Sequence, residues 1–169
     1  MPFIQDILKY KSLSIVGLEK NTGKTECLNY ILKRIALNNL KIAVTSSGVD
    51  GESADIVTNT SKPEIYLPTG IYFATSEKFF KEKKIVSEIY DIDYHSTATG
   101  RVVTAKAESD GKVLLSGHSS TSILKEWMDR LRVSYGIDIF IIDGALSRLT
   151  PASPAVCESK ILNTGAALS

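Results

Sequence analysis

Apolar residues along the chain fall into two kinds of run: short blocks of consecutive aliphatics, and longer stretches in which they recur every three or four positions. Leu13, Ile15 and Val16 form the first block, and its near-continuous apolar character is that of a strand buried on both faces of a parallel sheet. Cys27, Leu28, Ile31, Leu32 and Ile35 then lie at helical spacing, which predicts a helix from Lys24 to Leu37 stopped by Asn38 and Asn39. Residues 41–45 read as the next parallel strand and close a βαβ unit. Ahead of it all, residues 4–10 form a lead-in that packs Ile4, Ile7 and Leu8.

Further along, residues 71–74 predict a strand, Ser76 a cap for a helix over 77–83, and residues 85–92 another strand. The pattern changes between Tyr94 and Ser116. Two strand-like runs, 101–107 and 112–116, flank Glu108-Ser109-Asp110-Gly111, and Asp-Gly between such runs signals a hairpin, hence an antiparallel edge on the sheet. Ser119 to Ser122 cap a helix whose Ile123, Leu124, Trp127, Leu131 and Val133 make an apolar stripe, with Trp127 a core residue. A second apolar strand, 137–142, ends at Asp143-Gly144, and 160–166 reads as one more strand and a glycine turn. Strands alternating with helices specify an α/β fold with a mainly parallel central sheet.

The 169 residues suit a single domain spanning 1–169. A net charge of +1 gives no electrostatic reason to expect nucleic acid or an anionic membrane as partner. The densest basic group, Lys78, Lys81, Lys83 and Lys84, reads as a solvated helix end. Two cysteines, Cys27 and Cys157, neither demand a disulfide nor supply a metal cluster, which fits a reduced cytoplasm. No apolar window has the length of a signal peptide core or a membrane span, so a soluble cytoplasmic protein is expected.

Candidate chemistry centres on the link between the first strand and the first helix. Ser14-Ile15-Val16-Gly17-Leu18-Glu19-Lys20-Asn21-Thr22-Gly23-Lys24-Thr25 has the strand, loop and helix context of a phosphate-binding loop. Backbone N–H groups around Asn21, Thr22, Gly23 and Lys24 would wrap a phosphate at the helix N-terminus, Lys24 would reach the outer phosphates, and the Thr25 hydroxyl would ligate Mg²⁺. Asp143, at the end of its apolar strand, has the form of a Walker B carboxylate and emerges beside this loop if the two strands are neighbours. The second strand ends in Ser46-Ser47-Gly48-Val49-Asp50-Gly51-Glu52, a polar loop where open α/β sheets place ligands. Asp50 and Glu52 are its candidate magnesium carboxylates, against the plain reading of Asp-Gly as a turn. Residues 53–70, polar up to Lys62, read as a mobile connection on the substrate side, and Arg148 as a candidate mobile cation. His95 and His118 lie near serines and glycines without spaced partner ligands, and read as exposed loop histidines.

The spacing Gly17-x5-Gly23-Lys24-Thr25 departs from the usual Walker form, in which Leu18 would be the glycine. It resembles the loop of dethiobiotin synthetase and of the P-loop NTPase class that includes signal-recognition GTPases and MinD-like ATPases. That resemblance implies a three-layer P-loop NTPase fold, bound ATP or GTP, Mg²⁺ held by Thr25, Asp50 and Asp143, and catalysis by Lys24 and Asp50, with Asp50 completing the magnesium and water site. The signature lysine of MinD-like proteins is absent, since Glu19 takes its place and Lys20 follows one residue late. Residues Gly17 to Thr25 and Ile142-Asp143-Gly144-Ala145 also resemble small P-loop proteins associated with cobalamin-dependent lysine or ornithine aminomutases. The leading expectation is a Mg²⁺-dependent NTPase, ATP favoured, that assists or remodels a partner protein; class analogy adds a nucleotide-bridged homodimer. The alternatives are an ATP-dependent small-molecule ligase or kinase of the dethiobiotin synthetase type, and a binding module that holds nucleotide without turning it over. No base-specificity motif follows residues 160–166, which suggests a minimal domain or the N-terminal part of a longer protein.

Overall fold

Strands that are apolar on both faces occupy the middle of one sheet, and this places every other element. The computed structural model describes residues 2–17, 22–47, 64–145 and 156–164. In chain order the elements are α1 (Pro2–Ile7), β1 (Ser12–Gly17), α2 (Lys24–Ile35), β2 (Ile42–Ser46), β3 (Ile65–Leu67), β4 (Tyr72–Ser76), α3 (Glu77–Glu82), β5 (Ser87–Thr97), β6 (Gly100–Ala107), β7 (Gly111–Val113), α4 (Thr121–Tyr135), β8 (Ile139–Ala145) and β9 (Ser159–Asn163). The main sheet runs β5-β6-β4-β2-β8-β1-β9. From β4 to β9 the pairings are parallel, whereas β6 is antiparallel to β4 and β5 to β6. β3 and β7 form a separate antiparallel pair.

Every residue of β1 and β2 is buried, as a strand covered on both faces requires. On one face Leu13, Ile15, Ile42, Val44, Ile139 and Ile141 pack with Leu28, Ile31, Leu32 and Ile35 of α2, and with Ile65, Leu67 and Val113 of the small sheet. Ile4 and Ile7 of α1 join this layer, and Leu8 packs against it. On the other face Ala43, Phe140 and Ile142 meet Leu124, Trp127, Met128 and Leu131 of α4. The chain is therefore α/β, with a mostly parallel central sheet, antiparallel strands at one end and helices on both faces. Among the described residues no helix is long and apolar enough to cross a membrane.

Five expectations are corrected here. The stretch 64–70, expected to belong to a mobile connection, instead carries β3, which pairs with β7 and buries Ile65 and Leu67 in the core. The hairpin does not turn at Glu108–Gly111. Asp110 there accepts hydrogen bonds from the Thr69 N–H (2.8 Å), the Thr69 hydroxyl (2.7 Å) and the Tyr66 hydroxyl (3.0 Å), which ties the turn to β3. β7 consequently pairs with β3, and the antiparallel edge comes from a different hairpin, β5–β6, where Thr97 pairs with Gly100 across Ala98 and Thr99. That edge strand is also longer than the predicted 85–92, because its pairing with β6 resumes after two irregularities. Val133 is exposed: it lies about one and two-thirds turns beyond Trp127, on the far side of α4, and Met128 holds the core position instead. Ser76 stands at the N-cap of α3 without a side-chain capping bond.

Candidate nucleotide site

Two neighbouring parallel strands deliver the central pair of side chains. β1 leads into the loop before α2, and β8 lies directly beside it, with Ile15 opposite Asp143 and Gly17 opposite Ala145. The condition on which Asp143 depended, adjacency of the two strands, is met. Gly23 stands at the N-cap of α2 with φ 78°, a left-handed conformation that glycine adopts without steric cost. It turns the chain so that Lys24 opens the helix, and the Cys27 N–H donates to the Gly23 carbonyl (2.9 Å). The N–H groups of the first turn have no partner within the helix and carry its positive end, an arrangement suited to an anion.

Lys24 folds back across the sheet edge. Its Nζ lies 2.8 Å from Asp143 Oδ1 and 3.3 Å from the Gly144 carbonyl oxygen, to which it donates. The two side chains are 27% and 11% exposed, so the pair is sheltered without being sealed. The contact with Asp143 Oδ1 is close in distance but lacks hydrogen-bond alignment, and among the described residues this buried oxygen has no aligned donor. It is an oxygen still able to take a cation. β2 braces the same point from the other side: Ser46 pairs with Asp143 in register, and the Ser47 N–H (2.8 Å) and hydroxyl (3.4 Å) donate to the Asp143 carbonyl oxygen.

Thr25 is half-buried on the first turn of α2. Its hydroxyl and the Asp143 carboxylate are hard oxygen donors, the class that Mg²⁺ prefers, and Mg²⁺ keeps several waters, so one or two protein ligands suffice. The donor chemistry thus fits the ion. Among the described residues no group of three or more His, Cys, Asp or Glu could hold a metal by itself. Asn21, Lys20, Asp50, Glu52 and Arg148 lie outside the described residues, as does the first part of the connection, 53–63. The structure therefore brings together Gly17, Thr22, Gly23, Lys24, Thr25 and Asp143 at one sheet edge.

One residue at this edge escaped the sequence reading. Asn163, at the end of β9 and opposite Gly17, donates from Nδ2 to the Val16 carbonyl oxygen (3.3 Å) and hydrogen-bonds the Cys27 thiol. It clamps the last turn of β1 to the start of α2. A lone asparagine at a strand end carries no signal of this in sequence. Burial raises the Cys27 thiol above its ordinary value, against the pull of Asn163, so this cysteine stays protonated and unreactive beside the loop.

Three comparisons with known proteins, against family models, curated proteins and solved structures, give no match. The site is read from its own geometry.

Proposed function

We propose that the chain binds a nucleoside triphosphate, ATP in preference to GTP, with Mg²⁺ at the carboxyl ends of β1 and β8, and hydrolyses it in the service of a partner protein. The observation that supports this best is the meeting of Lys24 and Asp143 across adjacent parallel strands, in front of a helix N-terminus. In this reading Lys24 would exchange its contact with Asp143 for the outer phosphate oxygens, which would leave the Asp143 carboxylate free to hold a cation. Thr25 and Asp143 would hold Mg²⁺, which when bound supplies charge neutralisation on the phosphoryl oxygens. The loop amides and Lys24 position the phosphates, and Ser47 keeps Asp143 in place. The resemblance noted above makes a cobalamin-dependent aminomutase a partner to try first, with phosphate release followed in its presence and absence.

Thermal unfolding with ATP, with and without Mg²⁺, tests the reading. Ligand at a hundred times its dissociation constant adds about 2.7 kcal/mol of stability. We expect that gain in the presence of Mg²⁺, and loss of its metal dependence in Asp143→Asn. No stabilisation of the folded native chain by ATP or GTP under either condition would overturn it.

A further inference from the structure

His118 reads from sequence as an exposed loop histidine, yet it is only 4% exposed. It ends the segment that follows β7 and runs across the sheet edge. The Ser116 N–H donates to the Ala74 carbonyl oxygen (3.3 Å) at β4, and the Leu114 carbonyl accepts from the Thr75 hydroxyl (2.5 Å). Gly117 lies so close to β2 that an added Cβ would overlap Thr45 Oγ1 and stand 2.7 Å from the Ser46 carbonyl oxygen. Ser46 is the register partner of Asp143. The segment is a strap with one end on the β2 rim of the candidate nucleotide site and the other, His118, on the antiparallel edge.

What holds His118 is an arrangement with no spare capacity. Its Nε2 lies 3.2 Å from Asp93 Oδ2 but without hydrogen-bond alignment. Both oxygens of Asp93 are already engaged: Oδ1 accepts from the His95 backbone N–H (2.9 Å) and pairs with His95 Nδ1 (2.9 Å), and Oδ2 accepts from Arg130 (2.6 Å). Arg130 also binds Asp91 (2.9 Å). The charged groups facing His118 are thus Asp93 and His95 from β5 and Arg130 from α4, with Asp91 behind Arg130. A protonated His118 would add a charge beside the Arg130 guanidinium and the His95 ring, in a buried site with two carboxylates that are both already paired. Burial pushes its imidazole below the ordinary value, and the nearby His95 and Arg130 add to this against the attraction of Asp93.

We propose that His118 is a proton-controlled latch: neutral, it stays packed in its buried site and the strap lies across the ends of β2 and β4, and protonation drives the ring out and releases the strap. Release needs no nucleotide. Its consequence for nucleotide affinity, through Ser46, Ser47 and Asp143, rests on the function proposed above.

Hydrogen exchange, corrected for intrinsic rates, of the amides of Leu115 to His118 at pH 7.5 and pH 5.5 is the test, with β1 and β8 amides as internal reference. The native chain should lose severalfold of its strap protection at the lower pH, up to the roughly tenfold (~1.4 kcal/mol in opening free energy) that one histidine can supply over this interval, while the reference amides keep theirs. His118→Gln, which carries no titrating proton, should show a strap whose protection is the same at both pH values, and His95→Gln should retain the native response. An unchanged native strap, or an equal acid loss in His118→Gln, overturns the latch. Should His118→Gln not fold, the ring of His118 in the native chain is titrated by NMR. A common midpoint for the ring and the strap amides supports the proposal, and a ring that titrates while those amides stay still contradicts it. These readouts stand whether or not ATP binds.

Discussion

The parallel and antiparallel halves of the one sheet are held by different forces. From β4 to β1 the strands are packed on both faces largely by apolar side chains, and Ile15, Val44, Ile141 and Ile142 are fully buried. The β5–β6 end leans on polar pairs: Trp127 Nε1 donates to Thr104 Oγ1 (2.9 Å), Arg130 spans Asp91 and Asp93, and Glu77 receives Arg101. Apolar packing is non-directional and strong, so it fixes a scaffold on which Lys24 and Asp143 meet reproducibly. Polar pairs are directional and respond to protons, which makes the antiparallel end the adjustable part.

Single substitutions can break this contrast. The largest effect belongs to Trp127, which touches both halves: its ring meets Phe140 of β8 edge-on at 5.5 Å, while its N–H reaches β6. Trp127→Ala should cost about 3–5 kcal/mol in urea unfolding, and Ile141→Ala, wholly in the parallel half, about 2–5 kcal/mol. Arg130→Ala should cost about 1–2 kcal/mol, less than a sealed ion pair because the Arg130 side chain is 38% exposed.

Arg130→Ala should also change the acid limb of stability. Burial alone would raise the Asp93 carboxyl, but the His95 backbone N–H, the Arg130 guanidinium and the His95 ring outweigh it and hold the group well below the usual carboxylate range. Its contribution is therefore complete above the ordinary aspartate value and is lost as pH falls through the lowered one. Without Arg130 the loss should begin at a higher pH, read as urea midpoints between pH 7 and pH 3. At the outer strand, Ile92→Ala should cost under about 1 kcal/mol, since the side chain is already partly in water. Glu77→Gln at the exposed Arg101 pair should leave the unfolding midpoint where it is. A cost for Ile92→Ala equal to that for Ile141→Ala would erase the contrast.

The same contrast explains what was legible in the sequence. A doubly covered strand carries apolar residues on both faces, so the aliphatic runs of β1, β2 and β8 announce themselves, and the helical recurrence of Leu28, Ile31, Leu32 and Ile35 fixes α2. The described part of the candidate site, Gly17, Thr22, Gly23, Lys24, Thr25 and Asp143, was readable because strand, glycine and lysine occur in one short segment and Asp143 ends an apolar run. The antiparallel end was misread because a local turn signal, Asp110-Gly111, does not say which strand its carboxylate will bind. Thr69 and Tyr66 decide that, some forty positions earlier. His118 was misread for the same reason: its burial depends on Asp93 and Arg130, neither close to it in the chain. Asn163 is a third case, meaningful only once β9 lies beside β1.

The central claim is that Lys24 and Asp143 form a nucleotide site, and calorimetric titration of ATP and of GTP with Mg²⁺ into the native chain and into Lys24→Ala addresses it most directly. Removing one charge-assisted phosphate contact of about 1.5–3 kcal/mol should weaken binding by roughly ten- to a hundredfold. The account predicts saturable binding to the native chain, tighter for ATP, and that loss in Lys24→Ala. Equal affinity in both chains would place the nucleotide elsewhere, and no heat from either nucleotide with the folded native chain would contradict the site itself.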